Sequence, residues 1–335
     1  MSVERGFVAA LPKAELHVHH VGSASVHAVA ELASRHPDSP VPSDPDRLAE
    51  YFTFSDFAHF IEVYLSVVDL LRTPEDLWTL THEVGRDLAE QNVRYAELTL
   101  TPYTSITRGI AAEAYCEAVE DARRAVERDH GVVLRWCFDI PGESGLPAAD
   151  VTLDTALRLR PDALVSFGLG GPEVGVPRGQ FQSHFDAARA AGLRSVPHAG
   201  ESTGPETVWD AVRLLGAERI GHGIAAAQDP QLLAHLAAEG IALEVCPTSN
   251  VRTRSVPSLA EHPLPAIVAA GVPVSINSDD PPMFGTTLTE EYLVAAELLD
   301  LDEAGVVDLA RAAVDASFAP DDVRARLHGE LDAVG

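Results

Sequence analysis

The segment Val272-Pro273-Val274-Ser275-Ile276 is apolar on both faces and is followed directly by Asn277-Ser278-Asp279-Asp280. A strand that is apolar on both faces is typical of a parallel sheet covered by helices on either side. The segment therefore predicts a buried parallel strand whose carboxyl end carries polar and acidic side chains.

Seven further apolar runs of four to eight residues or slightly more lie upstream, and a stretch with helical periodicity separates each run from the next. Eight strand and helix units predict an α/β protein with a closed (β/α)8 or TIM barrel, whose active sites lie at the carboxyl ends of the strands. The predicted strands are Glu15 to His19, Val93 to Leu100, Val132 to Ile140, Ala163 to Leu169, Leu193 to Pro197, Arg219 to His222, Ala242 to Cys246 and Val272 to Asn277.

Cap residues mark some helix boundaries between these strands. Asp229-Pro230 is typical of an N-cap followed by proline in the first turn, and Gly192, Gly240 and Gly271 are typical of helix ends. These signals support alternation of strand and helix along the chain.

The longest connection runs from His20 to Asn92 and contains an aromatic segment, Tyr51 to Leu71. We expect a helical insertion after strand 1 that forms a lid over the barrel mouth. A role in the core is the alternative for its phenylalanines. The chain shows no internal repeat or low-complexity run, so residues 1–335 are expected to form one domain. These phenylalanines are Phe52, Phe54, Phe57 and Phe60.

The composition excludes several classes of partner. A formal charge of -27 and a pI of about 4.7 repel phosphate backbones and anionic lipids, so neither a nucleic acid nor a membrane is expected as a partner. The three cysteines, Cys116, Cys137 and Cys246, lack CxxC spacing and suit a reducing compartment. Without a signal peptide or an apolar run of about eighteen residues, the protein is expected to be soluble and cytoplasmic.

Metal-ligating residue types lie at four predicted strand ends. Side chains two apart on a strand point the same way, so His17 and His19 can reach one ion. With His198 and Asp279 they provide the nitrogen and oxygen ligands that a catalytic zinc accepts while one position stays open. We therefore expect one zinc ion per chain. The four segments are His17-Val18-His19, His198-Ala199-Gly200-Glu201, Gly221-His222-Gly223 and Ser278-Asp279-Asp280.

The same segments contain groups that can transfer protons. Zinc lowers the pKa of a bound water molecule from its high value in bulk water to about 7, and the resulting hydroxide needs a proton acceptor. Asp279 can bind the metal and accept that proton, while His222 orients the hydroxide. Glu201, three residues after His198, is a candidate general acid, and Asp280 could accept a hydrogen bond from an N–H-bearing ring atom. This pattern predicts a metal-dependent hydrolase.

The run Gly168-Leu169-Gly170-Gly171 ends strand 4 and would let a ligand pack directly on the backbone. It lacks the glycine spacing and the later acidic residue of a dinucleotide-binding fingerprint. A nicotinamide cofactor is therefore not expected.

Six segments together resemble the adenosine deaminase family over nearly the whole chain. They are Leu11-Pro12-Lys13-Ala14-Glu15-Leu16-His17-Val18-His19, Tyr95-Ala96-Glu97-Leu98, His198-Ala199-Gly200-Glu201, Arg219-Ile220-Gly221-His222-Gly223, Glu244-Val245-Cys246-Pro247-Thr248-Ser249-Asn250 and Asn277-Ser278-Asp279-Asp280-Pro281. The resemblance implies a metal-dependent (β/α)8 hydrolase in which hydroxide attacks C6 of an adenine ring and ammonia leaves.

Carried over by position, the resemblance also implies individual roles. Glu201 would protonate ring N1, and His222 and Asp279 would activate the water. Asp280 would contact N7, and Gly171 would meet N3. The implied zinc ligands are His17, His19, His198 and Asp279. The expected partner is a small-molecule adenine nucleoside.

The chain departs from adenosine-specific members after the first two ligands. Those members have an acidic residue that holds the ribose 5′-hydroxyl, whereas this chain has Val21 within His20-Val21-Gly22-Ser23-Ala24-Ser25. A buried hydroxyl left unpaired beside valine would cost about 1 to 3 kcal/mol. A 5′-substituted adenine nucleoside would fit Val21 better, so Val21 is a candidate substrate-binding residue together with His19.

The segment around Val21 resembles the aminodeoxyfutalosine deaminases of actinobacterial menaquinone biosynthesis, whose substrate carries a carboxyphenyl ketone at the 5′ end. This implies conversion of 6-amino-6-deoxyfutalosine to futalosine, with Arg252 or Arg254 as candidates to bind the carboxylate. Two alternatives remain: a deaminase of adenosine, deoxyadenosine or adenine that binds ribose differently, and a catalytically silent binding protein on the same fold.

Overall fold

Eight parallel strands follow one another around the molecule in sequence order, and each pairs with its sequence neighbours. The computed structural model describes residues 3–53 and 57–334, without the side chains of residues 49, 57, 58 and 60. The strands are β1 (Lys13–His19), β2 (Val93–Leu100), β3 (Val133–Pro141), β4 (Leu164–Gly170), β5 (Arg194–Ala199), β6 (Arg219–His222), β7 (Ala242–Val245) and β8 (Val274–Ile276).

Helices follow the strands and cover the outside of the barrel. Their apolar faces and the buried strands form one continuous core. In the described part of the chain the α-helices are α1 (Arg5–Ala10), α2 (Val26–Arg35), α3 (Pro45–Tyr51), α4 (Phe57–Val68), α5 (Pro74–Glu90), α6 (Pro102–Thr107), α7 (Ala112–His130), α8 (Gly145–Asp154), α9 (Gln182–Ala190), α10 (Pro205–Arg213), α11 (Pro230–Glu239), α12 (Pro247–Arg252), α13 (Leu264–Ala269), α14 (Pro281–Phe284), α15 (Leu288–Leu298), α16 (Glu303–Ala316) and α17 (Asp321–Asp332).

The predicted (β/α)8 barrel is confirmed, and the cap signals lie where the sequence indicates. The Asp229 side chain accepts hydrogen bonds from two backbone N–H groups at the start of α11, and Gly240 ends that helix in the left-handed conformation. Gly192 and Gly271 also have positive φ just beyond helix ends. Within the described ranges, no helix is both long enough and apolar enough to cross a membrane.

The barrel closes where the end of the chain's last strand meets its first. Asp279 has a φ of 65° and forms a parallel bridge with Val18. Its N–H donates to the His17 carbonyl at 3.1 Å, and its carbonyl accepts from the His19 N–H at 2.9 Å. The backbone of one predicted metal ligand is therefore hydrogen-bonded to the backbones of two others.

The connection between β1 and β2 is helical and contains α2 to α5. Burial raises the pKa of the Tyr64 hydroxyl on α4, and the negative charges of Asp280 and Asp139 raise it further. Helix α4 therefore lies over the carboxyl ends of the strands, as expected for a lid. Phe52 packs partly buried against the core. Phe54 and the side chains of Phe57 and Phe60 lie outside the described residues.

Candidate active site

His17 lies on the inner face of β1 and is almost fully buried. Its Nδ1 lies 2.9 Å from Glu244 Oε2, while its Nε2 has no hydrogen-bond partner. Burial favours the neutral ring, but the nearby carboxylates of Asp279 and Glu244 outweigh it and raise the pKa of His17 to about 10. The carboxylates around this ring thus favour a positive charge at Nε2, which a divalent cation would supply in place of the proton.

His19 and His198 approach each other from opposite sides of the barrel. Their Nε2 atoms lie 3.2 Å apart, and His19 Nε2 lies 3.3 Å from Asp279 Oδ1. Burial lowers the pKa of His19 to about 4 and that of His198 well below its usual range. Both rings are therefore neutral at pH 7, the form that binds metals.

Asp279 completes this group from the loop after β8. Its Oδ1 lies 3.6 Å from His17 Nε2, and its Oδ2 accepts a hydrogen bond from Ser249 Oγ at 2.6 Å. Burial opposes ionisation, but His17 and the other nearby histidines keep the pKa of Asp279 well below its usual range. Asp279 is therefore a carboxylate.

The donor set fits a borderline divalent cation. The ligand atoms of His17, His19 and His198 lie within 4.8 Å of one another, as do those of His17, His222 and Asp279. Converging nitrogen lone pairs beside a carboxylate, with His17 Nε2 unpaired, are satisfied by a metal more readily than by one another. The structure thus brings all four predicted ligands together at one point.

His222 lies beside this group at the end of β6. Asn250 Nδ2 donates to its Nδ1 at 3.1 Å, and His262 Nε2 donates to the side-chain oxygen Oδ1 of Asn250 at 3.1 Å. Because an amide nitrogen only donates, the His222 ring proton sits on Nε2. That Nε2 lies 3.7 Å from Glu201 Oε2 and 3.8 Å from Asp279 Oδ2. Burial lowers the pKa of His222 to about 3, so the ring is neutral.

Glu201 follows β5 and faces His222. Burial, and then the charge of Asp279, raise the pKa of Glu201 to about 8, so its carboxyl group carries a proton at pH 7. The Glu173 carboxylate accepts hydrogen bonds from the backbone N–H groups of Gly200 and Glu201 at 3.1 and 2.9 Å. The Thr203 hydroxyl also donates to it. Glu173 therefore fixes the loop that carries Glu201.

Asp280 directly follows Asp279, and its side chain packs against the loop after β1. Gly22 lies so close that an added Cβ would overlap the Asp280 carboxylate. Burial, and then the Asp279 charge, raise the pKa of Asp280 well above its usual range. A raised pKa favours the protonated carboxyl group, which can donate a hydrogen bond as well as accept one, so the contact predicted for Asp280 stays a prediction. Val21, the neighbour of Gly22, is partly buried against the core.

Gly171 follows β4 with a φ of 77°, a conformation that favours glycine. An added Cβ there would overlap the Glu143 carboxylate. Glu143 occupies the space that a side chain would fill, so this turn requires glycine, and contact of the Gly171 backbone with a ligand stays a prediction.

The two arginines proposed for a substrate carboxylate lie after β7, in different surroundings. Arg252 Nε donates to the Phe284 carbonyl at 3.2 Å. Arg254 lines a cavity of about 500 Å³ that Glu201 and Thr253 also line. Binding of a substrate carboxylate by either arginine stays a prediction.

Below the histidines, a buried ion-pair network supports His17. Glu244 accepts from His17 Nδ1 through one oxygen and from Arg219 Nε through the other, at 2.9 and 2.6 Å. Arg219 also donates to Glu97 at 2.5 Å and to the Ala316 carbonyl at 2.9 Å. The Phe318 ring lies 3.9 Å from the guanidinium carbon.

Several of these supporting residues were not predicted from the sequence. Asn277 Oδ1 accepts from the backbone N–H of Leu16 and of His17 and thereby joins β8 to β1. Glu173 and Glu244 have comparable supporting positions. A lone polar residue within or just after an apolar strand is the signal that could have identified Glu244 and Asn277, whereas Glu173 lies in an irregular loop.

The fold and this site are those of metal-dependent deaminases on a (β/α)8 barrel. The family profile described as adenosine deaminase matches residues 12–334. The chain belongs to the adenosine deaminase family. It is 66% identical to an aminodeoxyfutalosine deaminase of Streptomyces avermitilis over 328 residues, which cover 97% of this chain and 92% of that protein. It is 37% identical to an adenine deaminase of Streptomyces coelicolor over 96% of this chain and 95% of that protein.

Solved structures agree with this placement. An adenine deaminase from Arthrobacter aurescens superposes with a TM-score of 0.90 at 33% identity, covering 97% of this chain and 99% of that chain. An amidohydrolase from Burkholderia ambifaria with bound zinc has a TM-score of 0.88 at 27% identity and covers 98% and 93%.

Proposed function

We propose that this protein catalyses the zinc-dependent hydrolytic deamination of 6-amino-6-deoxyfutalosine to futalosine, a step of menaquinone biosynthesis. The observation that carries the proposal is the 66% identity to an aminodeoxyfutalosine deaminase over 97% of the chain. Val21 supports it, because an apolar residue stands where adenosine-specific members have an acceptor for a 5′-hydroxyl. The three cysteines are buried and unpaired, which supports a cytoplasmic location.

Four residues would hold the zinc ion: His17, His19, His198 and Asp279. When bound, zinc supplies Lewis acidity that makes hydroxide available near neutral pH. Glu244 fixes the His17 tautomer by accepting from Nδ1, which leaves the Nε2 lone pair free for the metal.

The remaining side chains of the site handle protons. Asp279 Oδ2, the oxygen that also accepts from Ser249, would take the proton of the attacking water. The neutral His222 would donate from Nε2 and orient the attacking oxygen. Glu201, protonated at pH 7, would deliver its proton to ring N1 as C6 becomes tetrahedral, after which ammonia leaves.

Binding groups would fix the purine ring relative to these residues. Protonated Asp280 would donate to N7, which in a nucleoside carries no hydrogen and can only accept. The exposed backbone at Gly171 would meet N3. Since Gly22 packs on Asp280, the neighbouring Val21 would lie near the 5′ end of the nucleoside.

The test is a substrate panel with purified, zinc-loaded enzyme. We expect kcat/KM for ammonia release to be highest with 6-amino-6-deoxyfutalosine, lower with adenosine and lowest with adenine. One zinc ion per chain should be measured by elemental analysis. The Glu201→Gln protein is the control for contaminating deaminases.

Each other result would contradict the proposal in a recognisable way. Preference for adenosine would make the protein an adenosine deaminase, and preference for adenine would place it with its 37% identical relative. Absence of ammonia release from every compound, with zinc bound, would favour a catalytically silent binding protein.

A further inference from the structure

Asp139 is a buried carboxylate at the barrel mouth that none of these roles uses. It lies near the end of β3 and is 4% exposed. A methyl group built at Gly168, its neighbour on β4, would lie 2.9 Å from Cys137 Sγ and 3.2 Å from Asp139 Cβ. Both side chains therefore project on the same face of β3.

That face is the interior of the barrel, at the level of the metal ligands. A methyl group built at Gly170 would lie 2.5 Å from Asp139 Oδ2 and 3.9 Å from His198 Cε1. The Asp139 carboxylate and the His198 ring thus lie against the same glycine. A substrate bound over His198 and Gly171 would lie close to Asp139.

One oxygen of Asp139 is held and the other is available. Thr101 Oγ1, just after β2, donates to Asp139 Oδ1 at 2.6 Å. Among the described residues Oδ2 has no hydrogen-bond partner. Protein atoms do not enclose it completely, so a ligand can reach it. Burial raises the pKa of Asp139 to about 7, as for a carboxyl group that lacks a full set of protein donors. Such an oxygen is suited to a ligand hydroxyl.

The strand order indicates which part of the substrate reaches it. In the proposed function N1 meets Glu201 after β5, N3 meets Gly171 after β4, and N7 meets Asp280 after β8. Around the purine perimeter, N9 lies between N3 and N7 on the side away from N1. Strands are arranged in sequence order around the barrel. A ribose on N9 would therefore project over β1, β2 and β3, where Thr101 and Asp139 are located.

Resting on the proposed function, we propose that Asp139 accepts a hydrogen bond from a secondary ribose hydroxyl, 2′ or 3′, and so determines specificity for a ribonucleoside. Thr101 positions the carboxylate for this contact. A site built to bond a hydroxyl discriminates against an analogue that lacks it, because its own buried acceptor is then left unpaired. Tyr64, close enough to Asp139 to respond to its charge, covers the same sector.

The experiment compares 6-amino-6-deoxyfutalosine with its 2′-deoxy and 3′-deoxy forms in wild type, Asp139→Ala and Thr101→Val. The wild type should lose about 10- to 100-fold in kcat/KM with one of the two deoxy forms, the range of a hydrogen bond to a charged group. In Asp139→Ala that ratio should fall to near one, with kcat/KM for the ribonucleoside reduced by a similar factor. Thr101→Val should give an intermediate ratio.

Asp162→Asn is the matched control, since Asp162 is exposed just before the amino-terminal end of β4, at the other end of the barrel from Asp139. It should leave the ratio unchanged. The wild-type comparison needs no variant, so it decides the matter even if Asp139→Ala fails to fold. Equal kcat/KM for the ribonucleoside and both deoxy forms in wild type would overturn this inference but not the proposed function. The same conclusion would follow if Asp139→Ala lowered kcat/KM for all three compounds by the same factor. Absence of turnover of all three in wild type would overturn the proposed function and the inference with it.

Discussion

The two ends of the barrel interior differ in whether their buried polar groups have hydrogen-bond partners. At the amino-terminal end, Arg219 donates to Glu97, Glu244 and the Ala316 carbonyl. At the carboxyl-terminal end, His17 Nε2, His198 Nδ1 and Asp280 Oδ1 are buried without a partner. Buried groups that satisfy one another stabilise a fold, whereas unpaired ones need an external partner. The difference separates the structural end from the end that binds ligands.

The largest effect is expected from removing a metal ligand at the carboxyl-terminal end. His198→Ala should abolish stoichiometric zinc binding and reduce kcat by at least the roughly 10²- to 10⁴-fold that loss of an acid–base group causes. Elemental analysis and ammonia release measure the two. Unchanged zinc content would show that His198 is not a ligand.

Glu201→Gln should come next and should separate acid catalysis from metal binding. An amide cannot deliver a proton to N1, so kcat should fall about 10²- to 10⁴-fold while zinc content stays at the wild-type level. A variant with near-normal kcat would contradict the acid role. Loss of zinc would instead make Glu201 a ligand.

Arg219→Met tests the opposite end. It leaves Glu97 and Glu244 buried without their cation, so the free energy of unfolding should fall by about 3 to 5 kcal/mol in a urea titration. Arg194→Met is its control, because Arg194 starts the neighbouring strand but is 56% exposed in its ion pair with Glu218. The control should lose no more than about 1 kcal/mol. Equal losses in the two variants would remove the distinction between the ends.

Val21→Asp is expected to have the smallest effect and to act on selectivity alone. It supplies an acceptor for a 5′-hydroxyl and places a charge against an aryl group, so relative kcat/KM should shift toward adenosine. One hydrogen bond corresponds to about 1 to 3 kcal/mol, or roughly 5- to 150-fold. An unchanged ratio of adenosine to 6-amino-6-deoxyfutalosine would show that Val21 does not meet the 5′ end.

Periodicity predicted the strands well because each is buried on both faces. Most boundaries differ from the predicted ones by one or two residues, and two of the differences involve prolines. The predicted strand from Val272 begins instead at Val274, since Pro273 has no N–H to donate, and β5 continues through Pro197 to Ala199. The convergence of His17, His19, His198 and Asp279 followed from their positions at strand ends, since a barrel places all such ends on one side.

The supporting contacts could not be predicted in the same way. Asp139 lies inside a predicted strand, and its importance depends on which face of β3 is interior and on the nearby glycines of β4. The raised pKa of Asp280 depends on burial and on the charge of its sequence neighbour Asp279, which is kept ionised by histidines from other strands. Such properties arise only when distant segments meet.

The closure of the barrel through Asp279 bears on how the protein acquires its metal during synthesis. His17 and His19 leave the ribosome more than two hundred residues before Asp279, and the backbone bonds that hold all three in place form only after β8 is made. Chains emerge at about 5 to 20 residues per second, so the first two histidines wait many seconds without their partners. Until His198 emerges, a nascent chain would therefore have at most a weak two-histidine site. Tight metal capture by the predicted ligands would then follow completion of the barrel, and metal content would report the fraction of chains that have finished folding.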